Sequence, residues 1–250
     1  MRDGEASDAA NNEASGQTSG WREDCLAGMA QAPDAASLHA IVADAARTLG
    51  FDYCAYGLRM PLPLSAPRTV MVNNYPSAWQ ARYAGEGYLA VDPTVAHGAA
   101  SLLPVLWSEA LFASARPLWE DARGHHLRVG WAQASRTADG AAGMLTLARS
   151  HDAISDPELR NSEGSMSWLA HATHEAMVRL HRPVTAPVVL SAREAEVLRW
   201  MADGKTSSEA AQILGLSERT VNFHVGNAMA KLGAANKTAG VVKAALLGLL

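Results

Sequence analysis

Cysteine, phenylalanine and long apolar runs are what this sequence has least of: two cysteines and three phenylalanines in 250 residues. No run reaches the roughly eighteen apolar residues of a membrane span, and no signal peptide opens the chain. Cys25 and Cys54 lack any metal-ligand spacing, which leaves them as small apolar thiols of a reducing compartment. These absences point to the cytoplasm, with no membrane as partner. The usual catalytic signatures are missing too. There is no Gly-x-Ser-x-Gly elbow, no phosphate-binding loop and no evident base partner for Cys54. His171 to Glu175 is not a zinc HExxH motif, because the acid follows the second histidine; His171 and His174, at i and i+3, are expected on a partly exposed helix face. No enzyme, metal or cofactor is expected.

At 250 residues and 48% apolar content, the chain can bury one or two cores. Its formal charge of −4 is unevenly spread: residues 190–250 carry seven Lys or Arg against five acids, a net +2, which leaves −6 on the first 189. Only the C-terminal part has the sign suited to phosphate, and weakly. Residues 1–20 are polar, without a stripe to bury, and read as a disordered tail. Pro183 and Pro187 break the preceding helix, making 181–189 an extended linker. The expected domains are therefore 21–180 and 190–250, and no internal repeat is visible.

Three short amphipathic segments fill the second domain. Ser191 with Glu194 and Thr206 with Glu209 are capping boxes, Ser217 caps a third helix, and Gly204, Gly215 and Gly233 close the three. Val221, Val225, Ala228 and Leu232 give the third helix its apolar stripe. Only Gly215-Leu216-Ser217 separates the second helix from the third, the short turn of a helix-turn-helix. The third helix thus presents Arg219, Asn222, Phe223, Gly226, Asn227, Ala230 and Lys231 outward. Asn222 or Asn227 can pair with an adenine edge, Phe223 can touch a thymine methyl, and Arg219 and Lys231 can neutralise phosphates. Gly226 in mid-helix costs about 1 kcal/mol against Ala, which makes sense where a phosphate or base must come close. Caps and stripes alone would equally suit a generic three-helix bundle.

The segment from Leu190 to Leu250 resembles the DNA-binding domain of the LuxR family, on Glu194, Leu198, Gly204, Lys205, Glu209, Ala211, Leu214, Ser217, Thr220, Val221, His224, Asn227, Lys231 and Leu232. The resemblance implies Thr206, Arg219, Thr220, Asn222, Phe223, Gly226, Asn227 and Lys231 as the DNA-binding set. His224, three residues after Val221, is expected to be a hydrogen-bonded part of the helix packing. Ala210 stands where the family often has Ile, a departure expected to loosen the first two helices.

The larger domain mixes helices and strands. Asp34 caps a helix ending at Gly50; strands are expected at 51–60, 69–74, 129–135 and 143–148, and a long helix from Asp156 to Leu180. The fold class is α+β, a three-layer α-β-α sandwich followed by the small all-α helix-turn-helix domain. Tyr75, Trp79 and Tyr83 fall four apart and share one side if Pro76 opens a helix. Asp92, before Pro93, is expensive among such aromatics unless something donates to it. An aromatic core with a helix-capping Asp accounts for this pattern as well.

Tyr75, Trp79, Tyr83, Asp92, Pro93, Trp107 and the strand from Gly143 to Leu147 resemble the autoinducer-binding domain of the same LuxR family, and Gly130 to Ser150 looks most like its Burkholderia-type members. The resemblance implies an N-acyl homoserine lactone as ligand. Trp79 would donate to the lactone carbonyl and Asp92 accept the amide N–H. Tyr75, with Thr146, would serve the amide carbonyl, and Trp107 would wall the lactone ring. Tyr83, Gly57, Leu58 and Val95 would line the acyl chain. An empty pocket would leave Asp92 and the aromatics poorly compensated, so the lactone would stabilise the fold, by about 2.7 kcal/mol at a hundredfold excess over Kd. Val241, Val242, Ala245, Leu246, Leu249 and Leu250 make the last helix apolar enough to pair with a second copy. The homodimer would read inverted-repeat double-stranded DNA, with RNA polymerase as a further partner. The alternative is an orphan LuxR-type regulator that responds to another small molecule or to none.

Overall fold

The structure is a computed structural model that describes residues 20–182 and 188–250. The expected disordered tail up to residue 19 and the middle of the expected linker, 183–187, lie outside these residues. The chain divides into two compact units at residue 182, the turn at 137–141 apart. No described helix is long and apolar enough to cross a membrane.

The first unit is built on an antiparallel sheet of β1 (Tyr53–Arg59), β2 (Thr69–Asn73), β3 (Val105–Leu106), β4 (Val129–Arg136) and β5 (Ala142–Arg149), in the order β2-β1-β5-β4-β3. Strand alternation sends Cys54, Tyr56, Leu58, Trp131, Leu145 and Leu147 to one face, all essentially buried. Against that face lie α2 (Ala35–Thr48) and α6 (Asp156–His181), which supply Leu38, Val42, Met166, Leu169 and Met177. Asp34 caps α2 by accepting from the Ser37 amide at 2.7 Å, as its sequence position predicts. The other face carries α3 (Ser77–Gly85), α4 (Pro93–Ala100) and α5 (Arg116–Gly124), completing the α-β-α sandwich.

Two elements were not legible in the sequence. A helix α1 over residues 20–31 docks on α6: the Trp21 and Trp168 rings lie 5.3 Å apart, Arg22 donates to Ser165 Oγ, and Arg179 donates to the Met29 carbonyl. Its buried Cys25 and Met29, four apart, are the signal that could have disclosed it. Strand β3 is only two residues long and offers no period.

The two histidines of α6 do not lie together on an exposed face as expected. His174 does not share an exposed face with His171; it is 3% exposed, with Nδ1 2.7 Å from the Tyr56 hydroxyl, because α6 rotates it onto the sheet. His171 stays exposed, near Ser135 Oγ at 2.9 Å.

The second unit holds α7 (Ala192–Ala202), α8 (Ser207–Leu214), α9 (Glu218–Leu232) and α10 (Lys237–Leu246). Both capping boxes form, and Gly215 and Gly233 close α8 and α9 at φ +64° and +57°, where a side chain would be strained. Val197, Ala210, Ala211, Val221 and Val225 make one apolar cluster, and Leu198, Ala228, Leu232 and Ala244 a second. Ala210 is fully buried, with Trp200 and Met201 closing around its cluster, so the missing bulk does not loosen the helices as expected. The last helix is also less free than its composition suggests, for Val241, Leu249 and Leu250 pack on the second cluster. Val242, Ala245, Leu246 and Leu247 lie outside it, and Leu247 is 41% exposed.

Candidate functional site

The sheet face under α3 and α4 is floored by small residues. Ala55 and Gly57 on β1 stand beside Thr146 and Met144 on β5, with Ala132 and Ala134 next in register on β4. So little side-chain volume leaves a cavity of about 440 Å³ between sheet and helices. Tyr75, Trp79, Tyr83, Asp92, Trp107, Thr146, Gly57 and Val95 all line it. Leu58 does not. As the neighbour of Gly57 on a pleated strand it points to the α2 and α6 side, where it is 1% exposed.

Asp92 is at once the cap of α4 and part of the cavity wall. Its Oδ1 accepts from the Thr94 amide at 2.8 Å and the Thr94 hydroxyl at 2.6 Å, and its Oδ2 accepts from the Tyr83 hydroxyl at 2.9 Å. The expectation that an empty pocket leaves Asp92 uncompensated is thereby corrected: the chain itself provides three donors. Tyr83 is correspondingly not just an apolar wall. Burial, with the Asp92 charge and hydrogen bond adding to it, pushes its phenol well above the ordinary range, so it remains a donor.

Trp79 and Tyr75 stand differently. Trp79 is 4% exposed and wedged among Tyr83, Tyr88 and His125, with ring centroids 5.7, 6.2 and 5.6 Å away. Among the described residues, neither its indole N–H nor the Tyr75 hydroxyl finds a hydrogen-bond partner. Burial, then Cys54 and Asp92, holds the Tyr75 phenol far above its usual value. Two donors and one anchored acceptor therefore meet at the rim of an apolar cavity. Trp107 reaches its place because Gly130 is bare: a Cβ there would overlap the indole.

Sequence reasoning missed the support behind Trp79. Asp121 Oδ2 on α5 accepts from Tyr88 Oη and Arg82 Nε, both at 2.6 Å, which ties α3 to α5 across residues too far apart to be paired by inspection. It also missed the neighbour of Cys54. His39 Nε2 lies 3.3 Å from the Cys54 sulfur, but burial pushes the thiol up to about 12 and lowers the imidazole, so both are neutral and sealed in the core rather than an activated nucleophile. Among the described residues no group of His, Cys, Asp or Glu is placed to hold a metal ion.

In the helical unit, Arg219, Asn222, Phe223 and Gly226 are exposed together on α9, with Phe223 63% exposed. A Cβ on Gly226 would meet nothing within 4 Å, so the glycine answers no packing need inside the chain. Asn227 is half-buried beside them. Thr206 and Thr220 are occupied in the caps of α8 and α9, Thr206 with Glu209 and Thr220 with Ser217. Lys231 is not free for phosphate as expected. Its ammonium donates at 2.7 Å to Glu194, a carboxylate whose side chain is 5% exposed. Nor does His224 find a hydrogen-bond partner among the described residues; it is half-buried with its ring 5.8 Å from that of Phe223.

Comparison with known proteins agrees with this division. Residues 34–177 match the autoinducer binding domain family, and residues 188–244 match the bacterial regulatory proteins of the luxR family. The transcriptional activator protein AnoR of Acinetobacter nosocomialis is 46% identical, over 92% of this chain and 99% of that protein. The crystal structure of Escherichia coli SdiA superposes with a TM-score of 0.71 at 35% identity, covering 92% of this chain and 98% of the other; SdiA has also been solved in complex with octanoyl-rac-glycerol. CepR2 of Burkholderia cenocepacia, described as an N-acylhomoserine lactone dependent LuxR-family factor, gives 0.59 at 34% identity over 65% of this chain and 96% of that one. This chain belongs to the LuxR family of quorum-sensing transcriptional regulators, with an autoinducer-binding domain ahead of a LuxR-type DNA-binding domain.

Proposed function

We propose that the protein is an N-acyl homoserine lactone receptor that binds inverted-repeat promoter DNA as a dimer. The observation that carries the ligand is the set of polar groups at the cavity rim. An acyl homoserine lactone offers one amide donor and carbonyl acceptors. Asp92, held by three internal donors, has lone-pair capacity left for the amide N–H, while Trp79 and Tyr75 supply unspent donors for the lactone and amide carbonyls, with Thr146 beside them. Trp107 walls the lactone ring, and Gly57, Val95 and the Tyr83 ring flank the chain. Because Asp92 is already compensated, the lactone stabilises chiefly by filling the apolar cavity and by pairing Trp79 and Tyr75.

The DNA half rests on the exposed α9 face. Pairing of two copies through Val242, Ala245 and Leu246 of α10 and the following Leu247 would set two such faces about one helical turn apart.

The test is soluble yield and melting temperature of the whole protein with N-acyl homoserine lactones of short, medium and long chain. A chain-length optimum is expected, and Asp92→Asn should abolish the shift while leaving the ligand-free melting temperature nearly unchanged. A flat response, or an Asp92→Asn protein that still responds fully, defeats the lactone reading. A second reading has one support: SdiA, of the same family, is known with an acylglycerol. Its hydroxyls could serve Asp92 in place of an amide, so octanoylglycerol belongs in the panel.

A further inference from the structure

Lys237 opens α10 and spans to the two preceding helices. Its ammonium donates to Ser207 Oγ on α8 at 2.7 Å and to Asn222 Oδ1 on α9 at 3.3 Å. Ser207 is buried, which fixes the lysine from behind, whereas Asn222 is exposed on the α9 face described above. An ammonium only donates, so the atom of Asn222 that faces it is the carbonyl oxygen and the amide nitrogen is turned away. Bidentate pairing with adenine uses both ends of an asparagine: the oxygen accepts from N6 and the nitrogen donates to N7. Guanine shows only acceptors at the same edge, N7 and O6.

We propose that Lys237 is a positioning residue for base recognition: by holding the Asn222 carbonyl it presents Asn222 as a donor, and so favours guanine over adenine at the base pair that Asn222 reads. The inference rests on α9 being the reading helix. It reverses the adenine pairing that the residue type alone suggests, because what an asparagine can read depends on which end is already engaged. The competing role for Lys237 is a plain phosphate contact, since Lys205, Thr206 and Thr238 line the same cleft.

The experiment is selection from a randomised duplex pool by the full-length protein, purified with whichever N-acyl homoserine lactone stabilises it best. It is followed by titrations at several salt concentrations. Wild type is expected to select guanine at one position per half-site that Asn222→Ala renders indifferent. Lys237→Met should shift that position alone toward adenine, by about tenfold in relative affinity, and Lys237→Arg should keep the guanine preference. The proposal is overturned if Lys237→Met weakens all duplexes equally and lowers the salt slope by about one, the mark of a phosphate contact. It is also overturned if the selected base does not move. Failure of wild type to enrich any sequence would instead remove the DNA-reading role on which the inference stands. An unchanged melting temperature of Lys237→Met shows that the readout is not misfolding.

Discussion

The two units bury their interiors in opposite ways. In the helical unit, short helices close on valine, alanine and leucine in two apolar clusters, and the charged Glu194 inside has its own counter-ion in Lys231. In the sheet unit, one face is packed solid by α2 and α6, while the other is floored by alanine and glycine and left open by about 440 Å³. The difference shows where each unit waits for a partner. The helical unit offers an exposed helix face, whereas the sheet unit offers an internal cavity. Asp92 and Glu194 make the point at one residue each. Both are tied to helix starts, but Glu194 is closed off by Lys231, and Asp92 faces the cavity with lone pairs to spare.

This contrast can be broken first at its solid side. A Cβ on Gly143 would overlap the Tyr56 hydroxyl and lie 2.7 Å from His174 Nδ1, and neither group can retreat from a buried pair. Gly143→Ala should therefore cost about 3 kcal/mol, at the upper end of overpacking, and show as a sharp loss of soluble protein and melting temperature. A fully stable variant would mean that this face is looser than described.

The next effect concerns the helical unit. Burial alone would raise the Glu194 carboxyl; hydrogen bonds from Lys231 and from Ser191 more than offset it and hold the carboxyl below its ordinary range. A depressed acid contributes its full stability above the unfolded carboxylate range and loses it as the pH falls through the folded value. Glu194→Gln should cost about 1.5 to 3 kcal/mol at neutral pH and flatten the acid dependence, measured by hydrogen exchange of the α7 and α9 amides. Unaltered acid sensitivity would assign it to other groups.

Gly57 sharpens the comparison from the hollow side. A Cβ there meets nothing within 4 Å and projects into the cavity. Gly57→Ala should leave the ligand-free melting temperature within about 1 kcal/mol of wild type yet lower affinity for the preferred lactone about tenfold, as a misplaced methyl does. Calorimetric titration decides it. Phe223→Ala should be the mildest for stability, within about 0.5 kcal/mol, while weakening specific DNA binding in a gel-shift titration. A specific complex of unchanged affinity would remove Phe223 from the reading face.

The helical unit was nearly all legible in advance, because caps, glycine stops and a 3.6-residue stripe are written within a dozen residues of one another. The strands were legible as well, since β1, β2, β4 and β5 alternate or run apolar between turn residues. What escaped was set by distant pairs. Tyr88 and Arg82 meet Asp121 across more than thirty positions, His39 meets Cys54, and α1, with only Cys25 and Met29 four apart as its signal, is secured by docking on α6. Among the candidate site residues, Leu58 was lost to a strand parity that puts neighbours on opposite faces. The free phosphate contact expected of Lys231 was lost to a partner thirty-seven positions away.

By itself the sequence determined the two domains, their helices and strands, and the residue types gathered around one cavity and along one helix, because these depend on local period, capping and composition. The tertiary structure alone decided what each group has left to give. A hydrogen bond formed across the fold uses up a donor or acceptor. Asp92 keeps spare lone pairs, Lys231 has its charge engaged, and Asn222 has its oxygen turned toward Lys237 because of contacts between elements that no stretch of the chain contains on its own.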